Sequence, residues 1–347
     1  MDADKIIDKL YESGNASREE LEFLIDNRNE ERAQKLFALA RRRALEHYGN
    51  KIYVRGLVEI SSFCKNDCLY CGIRRSNHNA QRYRLTKDEI LECCREGWEL
   101  GFRTFVLQGG EDAYYSDGIM TEIIASIRAG YPDCAITLSL GEKTRETYRR
   151  YYDAGANRYL LRHETATPEH YAKLHPKELS LANRMECLQN LKEIGYQVGC
   201  GFMVGSPYQT TADLARDLLF IKSFVPQMVG IGPFIPHHDT PFADKPAGTA
   251  ELTLFLLAIV RLMTPKVLLP ATTALGTIEG DGRERGILAG CNVVMPNLSP
   301  QSVRKKYMLY DNKLSSGEEA AEARAALERR VEAIGYRVVT DRGDYKG

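Results

Sequence analysis

Three cysteines fall within one short stretch, "SSFCKNDCLYCGIRR", at Cys64, Cys68 and Cys71. The thiolate is the metal-binding form of cysteine, and soft thiolates select zinc, Cu(I) or iron–sulfur clusters. A structural zinc site closes on four ligands, usually from two knuckles. No second knuckle follows here, and His78 sits in the polar run "SNHNAQ", which reads as an exposed loop. The four-cysteine run ending in proline that serves bacterial ferredoxin clusters is absent as well. Three thiolates in one loop suit an iron–sulfur cluster with one iron left unligated by protein. An open coordination position marks a metal that does chemistry. Lys65, Asn66 and Asp67, between the first two cysteines, are too polar for a packed core.

The other six of the nine cysteines (Cys93, Cys94, Cys134, Cys187, Cys200 and Cys291) lie in apolar, periodic segments and read as small buried hydrophobes. An odd cysteine count in a long chain with no export signal argues against a disulfide framework.

The elements that must hold the loop follow from the rhythm of the chain. The first fifty residues read as helices, with Ser17 and Glu20 placed as a capping box and Gly49 as a stop. From there β-rich runs alternate with amphipathic stretches. The predicted strands are 53–61, 104–110, 135–141, 158–164, 197–205, 228–236, 266–273 and 292–297. The predicted helices between them are 86–100, 117–130, 143–155, 182–195, 211–224, 251–263 and a short one near 283–290, and 316–335 supplies the last. Alternating β and α implies a parallel sheet, and eight strands favour a closed (β/α)8 TIM-type barrel. The expected organisation is a helical extension over 1–50 and a barrel over 51–347, together one structural domain.

In such a barrel the chemistry belongs at the C-terminal strand ends. The first strand runs directly into the cysteine loop. Gly109 and Gly110 in "LQGGED" would let a ligand approach the backbone. Arg162 and Glu164 share one face of "RYLLRHET", where an inward charge needs a ligand or a partner, such as each other. His163 points the other way and is given no role. Arg184 can fork onto a carboxylate or simply lie on a helix surface. Thr137, Ser139, Thr272 and Thr273, with Met295, make a hydroxyl-bearing pocket suited to a small anionic ligand.

Balanced charge, with Lys+Arg and Asp+Glu both at 47, argues against a general nucleic-acid or anionic-membrane binder. The most apolar run, 252–263, is too short to span a bilayer and carries Arg261. The N-terminal sequence is charged and amphipathic, so a cytoplasmic location is expected.

The Cx3Cx2C spacing, with aromatic Tyr70 before the last cysteine, resembles the signature of radical S-adenosylmethionine (SAM) enzymes. In that superfamily three cysteines hold a 4Fe–4S cluster, and its fourth iron binds the amino and carboxylate groups of SAM. The reduced cluster cleaves SAM to methionine and a 5′-deoxyadenosyl radical. The resemblance implies cofactor contacts at Tyr70, Gly109, Gly110, Glu111, Glu164, Arg184, Gly205 (in "GFMVGSPYQT") and Ile231 (in "VGIGPFIPH"), with Glu164 on the SAM ribose. Within the superfamily, "CLYCGIRR", "RYLLRHETA", "VGIGPFIPHHDTP", "PATTALGT" and "NVVMPN" resemble the HydE-type FeFe-hydrogenase maturases, which are similar to biotin synthase and methylornithine synthase.

That resemblance implies a role in assembling the diiron subcluster on a small organometallic or amino-acid-derived substrate, proposed as a cysteine-bound iron carbonyl–cyanide synthon. Substrate contacts would come from Arg162, Thr272, Thr273, Met295, Thr137, Ser139 and Tyr310. Implied partners are the tyrosine-cleaving radical SAM maturase, the GTPase maturase and a reductant protein such as ferredoxin or flavodoxin. An amino-acid mutase resembling methylornithine synthase, or a non-catalytic iron-synthon carrier, are the alternatives. Strand parity turns Cys134 and Cys200 away from the hydroxyl pocket, against a biotin-synthase-like interior cluster. With no cysteine after Cys291, one cluster is expected.

Overall fold

A computed structural model describes residues 1–314 and 320–347. Its strands are β1 (Lys51–Val54), β2 (Gly56–Ser61), β3 (Thr104–Gly109), β4 (Ala135–Ser139), β5 (Arg158–Leu160), β6 (Gln197–Cys200), β7 (Met203–Val204), β8 (Met228–Val229), β9 (Gly232–Pro233), β10 (Val293–Val294) and β11 (Arg337–Val339). β2, β3, β4, β5, β6 and β8 hydrogen-bond in that order, all parallel. Single bridges from Met228 to Leu268 and from Pro270 to Val293 carry the ring onward. The pairing of β10 with β1 and a bridge from Asn297 to Leu57 return it to the first strand. The TIM-type ring is thus closed, though several rungs are short.

The short rungs explain where the sequence reading ran long. The predicted strand 266–273 survives only as bridges, between Pro265 and a proline at position 270 that cannot donate to a ladder. The strand predicted over 197–205 breaks into β6 and β7 at Gly201, whose φ is 154°. A Cβ there would lie 1.9 Å from the Gly230 carbonyl oxygen, so only glycine fits. The strand predicted over 158–164 is regular only to Leu160. Short helices at Pro168–Leu174, Thr273–Ile278 and Gln301–Arg304 were not foreseen.

Three helices precede the barrel, Ala3–Ser13, Arg18–Asp26 and Glu30–Tyr48, and the Ser17–Glu20 capping box is present. The third covers the helix Ala250–Met263, which is why that apolar segment is buried almost throughout. Arg261 within it is fully buried and gives its guanidinium protons to the carbonyls of Gly290, Pro265 and Val267 and to Asn292 Oδ1. The N-terminal helices share one continuous apolar core with the barrel. Among the described residues no helix is long and apolar enough to cross a membrane.

The last predicted helix is observed over Ala320–Ala333, while 316–319 of that prediction lie outside the described residues. It is followed by an unforeseen strand, β11, which pairs with β1, and by a tail that enters the barrel floor. There the Arg158 guanidinium donates to the carbonyls of Arg342 and Gly343 and to Asp344 Oδ1 at 2.7 Å.

Candidate active site

The cysteine loop leaves the C-terminal end of β2 and is stapled by its own backbone. Arg82 donates to the carbonyl oxygens of Ser62, Ile73, Arg74 and Asn77. Asp67 accepts from Arg74 Nε at 2.8 Å, from Ser76 N at 3.0 Å and from Ser76 Oγ at 2.6 Å. Burial alone would raise the Asp67 carboxyl, but those bonds and the Arg74 charge hold it down at about 2. The loop is also tied to its surroundings by Lys65 N to Glu111 O at 2.9 Å, Leu69 N to Leu174 O at 3.0 Å and Gly72 N to Leu309 O at 2.8 Å. A rigid loop with its sulfurs unbonded to one another is the result.

Cys64, Cys68 and Cys71 line a cavity of about 310 Å³ at the C-terminal mouth of the barrel. Burial, reinforced by the charges of the neighbouring thiols, pushes the Cys71 thiol up to about 12 and raises Cys68 as well. Thiols raised this far become ligands only when a metal replaces the proton.

Ten further predicted site residues line the same cavity: Tyr70, Gly109, Gly110, Glu111, Ser139, Arg162, Glu164, Arg184, Thr272 and Tyr310. At Gly110 a Cβ would meet the Phe63 carbonyl oxygen at 2.2 Å and Cys64 Cβ at 2.7 Å, so the glycine is required by packing against the loop. Arg162 Nη2 lies 3.0 Å from Glu164 Oε2. Neither atom makes an aligned hydrogen bond, and Arg162 Nε has no partner either. The cavity therefore holds an ion pair whose hydrogen-bonding capacity is unspent.

Arg184 is buried and already engaged: Nε donates to Glu142 Oε1 at 2.5 Å and Nη1 to the Arg162 carbonyl at 2.7 Å. Glu142 escaped the sequence reading because nothing in "LSLGEKT" marks it until Arg184, on another helix, comes to meet it. Its own N–H donates to Glu111 Oε1 at 2.9 Å, so Glu111, Glu142 and Arg184 form one chain along the rim. Tyr70, too, has an unforeseen partner. Its hydroxyl lies 3.2 Å from His175 Nε2, while His175 Nδ1 donates to the Tyr171 carbonyl at 3.0 Å. Burial and the nearby Arg184 charge hold His175 neutral, at about 3, so Nε2 accepts from the phenol.

The remaining predicted residues lie elsewhere. Thr137 points inward but one layer deeper, its hydroxyl buried and unpartnered. Thr273 and Met295 line an adjacent cavity of about 250 Å³ beside Glu59 and Lys313. Thr272 caps a helix by accepting from Leu275 N, and Thr273 Oγ1 accepts from Arg283 at 3.3 Å; in both bonds the oxygen is the acceptor, so each O–H keeps its donor capacity. Ile231 is fully buried in the core, and Gly232 and Pro233 present that strand to the cavity instead. Gly205 serves a turn: φ is 71°, and a Cβ would lie 2.5 Å from Gly248 Cα. Cys134 and Cys200 belong to the apolar core and not to the cavity lining.

His237, His238 and Asp239 converge within 4.8 Å at the mouth. The two rings stack at 4.4 Å and 18°, so their in-plane lone pairs cannot meet at one ion. They act as a clasp: His238 Nδ1 pairs with Asp311 Oδ1 at 2.7 Å, and Asp311 N donates to the Pro236 carbonyl.

A closed parallel barrel with a three-cysteine loop at its catalytic mouth defines a class, and the comparisons name it. Residues 58–221 match the family model described as "Radical SAM superfamily". The chain is a radical SAM enzyme. It is 45% identical over 311 residues to the [FeFe] hydrogenase maturase subunit HydE of Thermotoga maritima, covering 90% of this chain and 88% of that one. The chain belongs to the HydE family of hydrogenase maturases. A 3-methylornithine synthase of Methanosarcina acetivorans is 30% identical, covering 96% of this chain and 93% of that protein. The crystal structure of methylornithine synthase (PylB) superposes with a TM-score of 0.83 at 28% identity, over 96% of this chain and 97% of that one.

Proposed function

We propose that the cavity binds one 4Fe–4S cluster on Cys64, Cys68 and Cys71 together with SAM, and that the enzyme works in assembly of the FeFe-hydrogenase diiron subcluster. The observation that carries the reading is the coincidence, in one cavity, of three half-buried thiols with the Arg162–Glu164 pair, whose hydrogen-bonding capacity is unspent. Family membership supports the same cofactors. When bound, the cluster supplies an electron that cleaves SAM to methionine and a 5′-deoxyadenosyl radical.

This chain's residues bind and orient. Glu164 accepts hydrogen bonds from the SAM ribose hydroxyls. The Gly109–Gly110 edge admits the methionyl end against the backbone. Arg184, locked by Glu142, holds the rim in register. The apolar walls, Leu160, Leu161, Met203 and Phe234, exclude water from the radical. Arg162 and Ser139 face the substrate, for which a cysteine-bound iron carbonyl–cyanide synthon fits the family's role. Thr273 and Met295 would receive its far end if the two cavities join on binding. The other maturases and a ferredoxin- or flavodoxin-type reductant are the partners this role requires.

The test is anaerobic reconstitution with iron and sulfide, followed by dithionite and SAM. The expected result is about four irons per chain and formation of 5′-deoxyadenosine, both lost in Cys68→Ala. Clearly more iron contradicts a single cluster, and absence of 5′-deoxyadenosine in the wild type refutes the radical reading. Hydrogenase activation with the other maturases, set against 3-methylornithine production, separates maturase from mutase.

A further inference from the structure

Glu164 has φ 64°, the left-handed region that costs a side-chain-bearing residue energy. Something must hold it there. Its N–H donates to the Gly201 carbonyl at 3.0 Å, which anchors one side. The other anchor is the neighbouring residue. His163 is fully buried behind the cavity wall, against the helix Thr211–Phe224. The Gly201 N–H donates to His163 Nδ1 at 3.2 Å, so the neutral ring carries its proton on Nε2. That nitrogen lies 3.3 Å from Asp217 Oδ1, on the same helix. Asp217 is fully buried too, and its Oδ1 also accepts from Ala166 N at 2.5 Å. The Phe220 ring closes the pocket edge-on, 4.7 Å from His163.

One carboxylate from a different element thus flanks Glu164 on both sides, hydrogen-bonded to Ala166 N and 3.3 Å from His163 Nε2, a contact close enough for an ion pair but not aligned as a hydrogen bond. Arg162 and Glu164 both reach the cavity while His163 faces the helix, as strand alternation predicts, but the main chain at Glu164 is turned into the left-handed region instead of staying extended. No step of the proposed chemistry uses either buried group, and a carboxylate this deep is costly unless it has a task.

We propose that His163 and Asp217 are positioning residues that hold Glu164 in its left-handed conformation and so aim its carboxylate at the SAM ribose. The inference rests on the reading of Glu164 as a SAM contact. A double-mutant cycle tests it in the reconstituted protein, with SAM affinity measured by equilibrium dialysis and iron content by assay. Asp217→Ala should weaken SAM binding about tenfold with iron content unchanged. Asp217→Asn keeps an acceptor for both Ala166 and His163 and should restore most of the affinity.

In a Glu164→Ala background, Asp217→Ala should add less than about a twofold further loss. Equal losses in both backgrounds, or unchanged affinity in Asp217→Ala, overturn the inference. Unchanged affinity in Glu164→Ala alone overturns the SAM reading instead. If Asp217→Ala does not fold, His163→Phe, which keeps the ring volume and removes the bonding nitrogens, runs the same cycle.

Discussion

Replacing Glu164 by glycine should leave this protein more stable than replacing it by alanine, while both remove a group its function needs. The residue sits at φ 64°, a conformation that costs an L residue about 1–2 kcal/mol. Glycine adopts it freely but gives up about 0.5–1 kcal/mol to backbone entropy. Glu164→Ala is the control, because it removes the same carboxylate and its ion pair with Arg162 yet keeps the Cβ that clashes. The two variants therefore differ only in the backbone, and Glu164→Gly should be more stable than Glu164→Ala by about 1 kcal/mol. Equilibrium unfolding in urea or guanidinium, followed by circular dichroism on the apoprotein, measures that difference directly. Both variants should bind SAM equally poorly. Strain retained at a site that binds a cofactor is the expected trade of stability for function. An alanine variant as stable as the glycine variant, with matched denaturant slopes, would refute the claim that the fold stores strain at this position.

Two further outcomes follow from the same geometry. Gly110→Ala places a methyl group 2.2 Å from the Phe63 carbonyl oxygen, backbone that cannot swing aside. Reconstituted iron should fall well below that of wild type while far-UV circular dichroism stays unchanged. Asp344→Asn addresses the barrel floor. Burial would raise the Asp344 carboxyl, but the hydrogen bond and charge of Arg158, and then Arg342, hold it below its ordinary value. A carboxyl lowered in the folded state contributes stability above its unfolded pKa and loses it as pH falls through the folded one. The variant should therefore cost about 1 kcal/mol at pH 7, the carboxylate being partly exposed, and the gap should close below about pH 4 in denaturant titrations.

Regular periodicity explains what was legible. The alternation of β and α runs, the number of rungs and the inward parity of Thr137 and Ser139 follow from side chains that repeat every second residue. Parity failed where the backbone ceased to be regular, at Ile231 beside the break between β8 and β9. It held for Arg162, His163 and Glu164, although the left-handed turn at Glu164, beyond the end of β5, left no mark in the alternation. The hydroxyls of Thr272 and Thr273 were visible as residues, but the helix that Thr272 caps was not, so the bonds their oxygens accept were not foreseen.

The amino-acid sequence by itself determined the chemistry of the cysteine loop, because three ligands and their spacing are local facts carried by one segment. It also determined the order of elements, since hydrophobic period and caps act over a few residues. Tertiary structure alone decided which groups are spent and which remain available. Glu142 meets Arg184, Asp217 meets His163 and Asp344 meets Arg158 across 42, 54 and 186 residues of chain. No periodicity reports such pairs, because they form only when closure of the barrel brings distant strand ends and helices to one place. The cavity's unspent arginine and glutamate are what that closure leaves over.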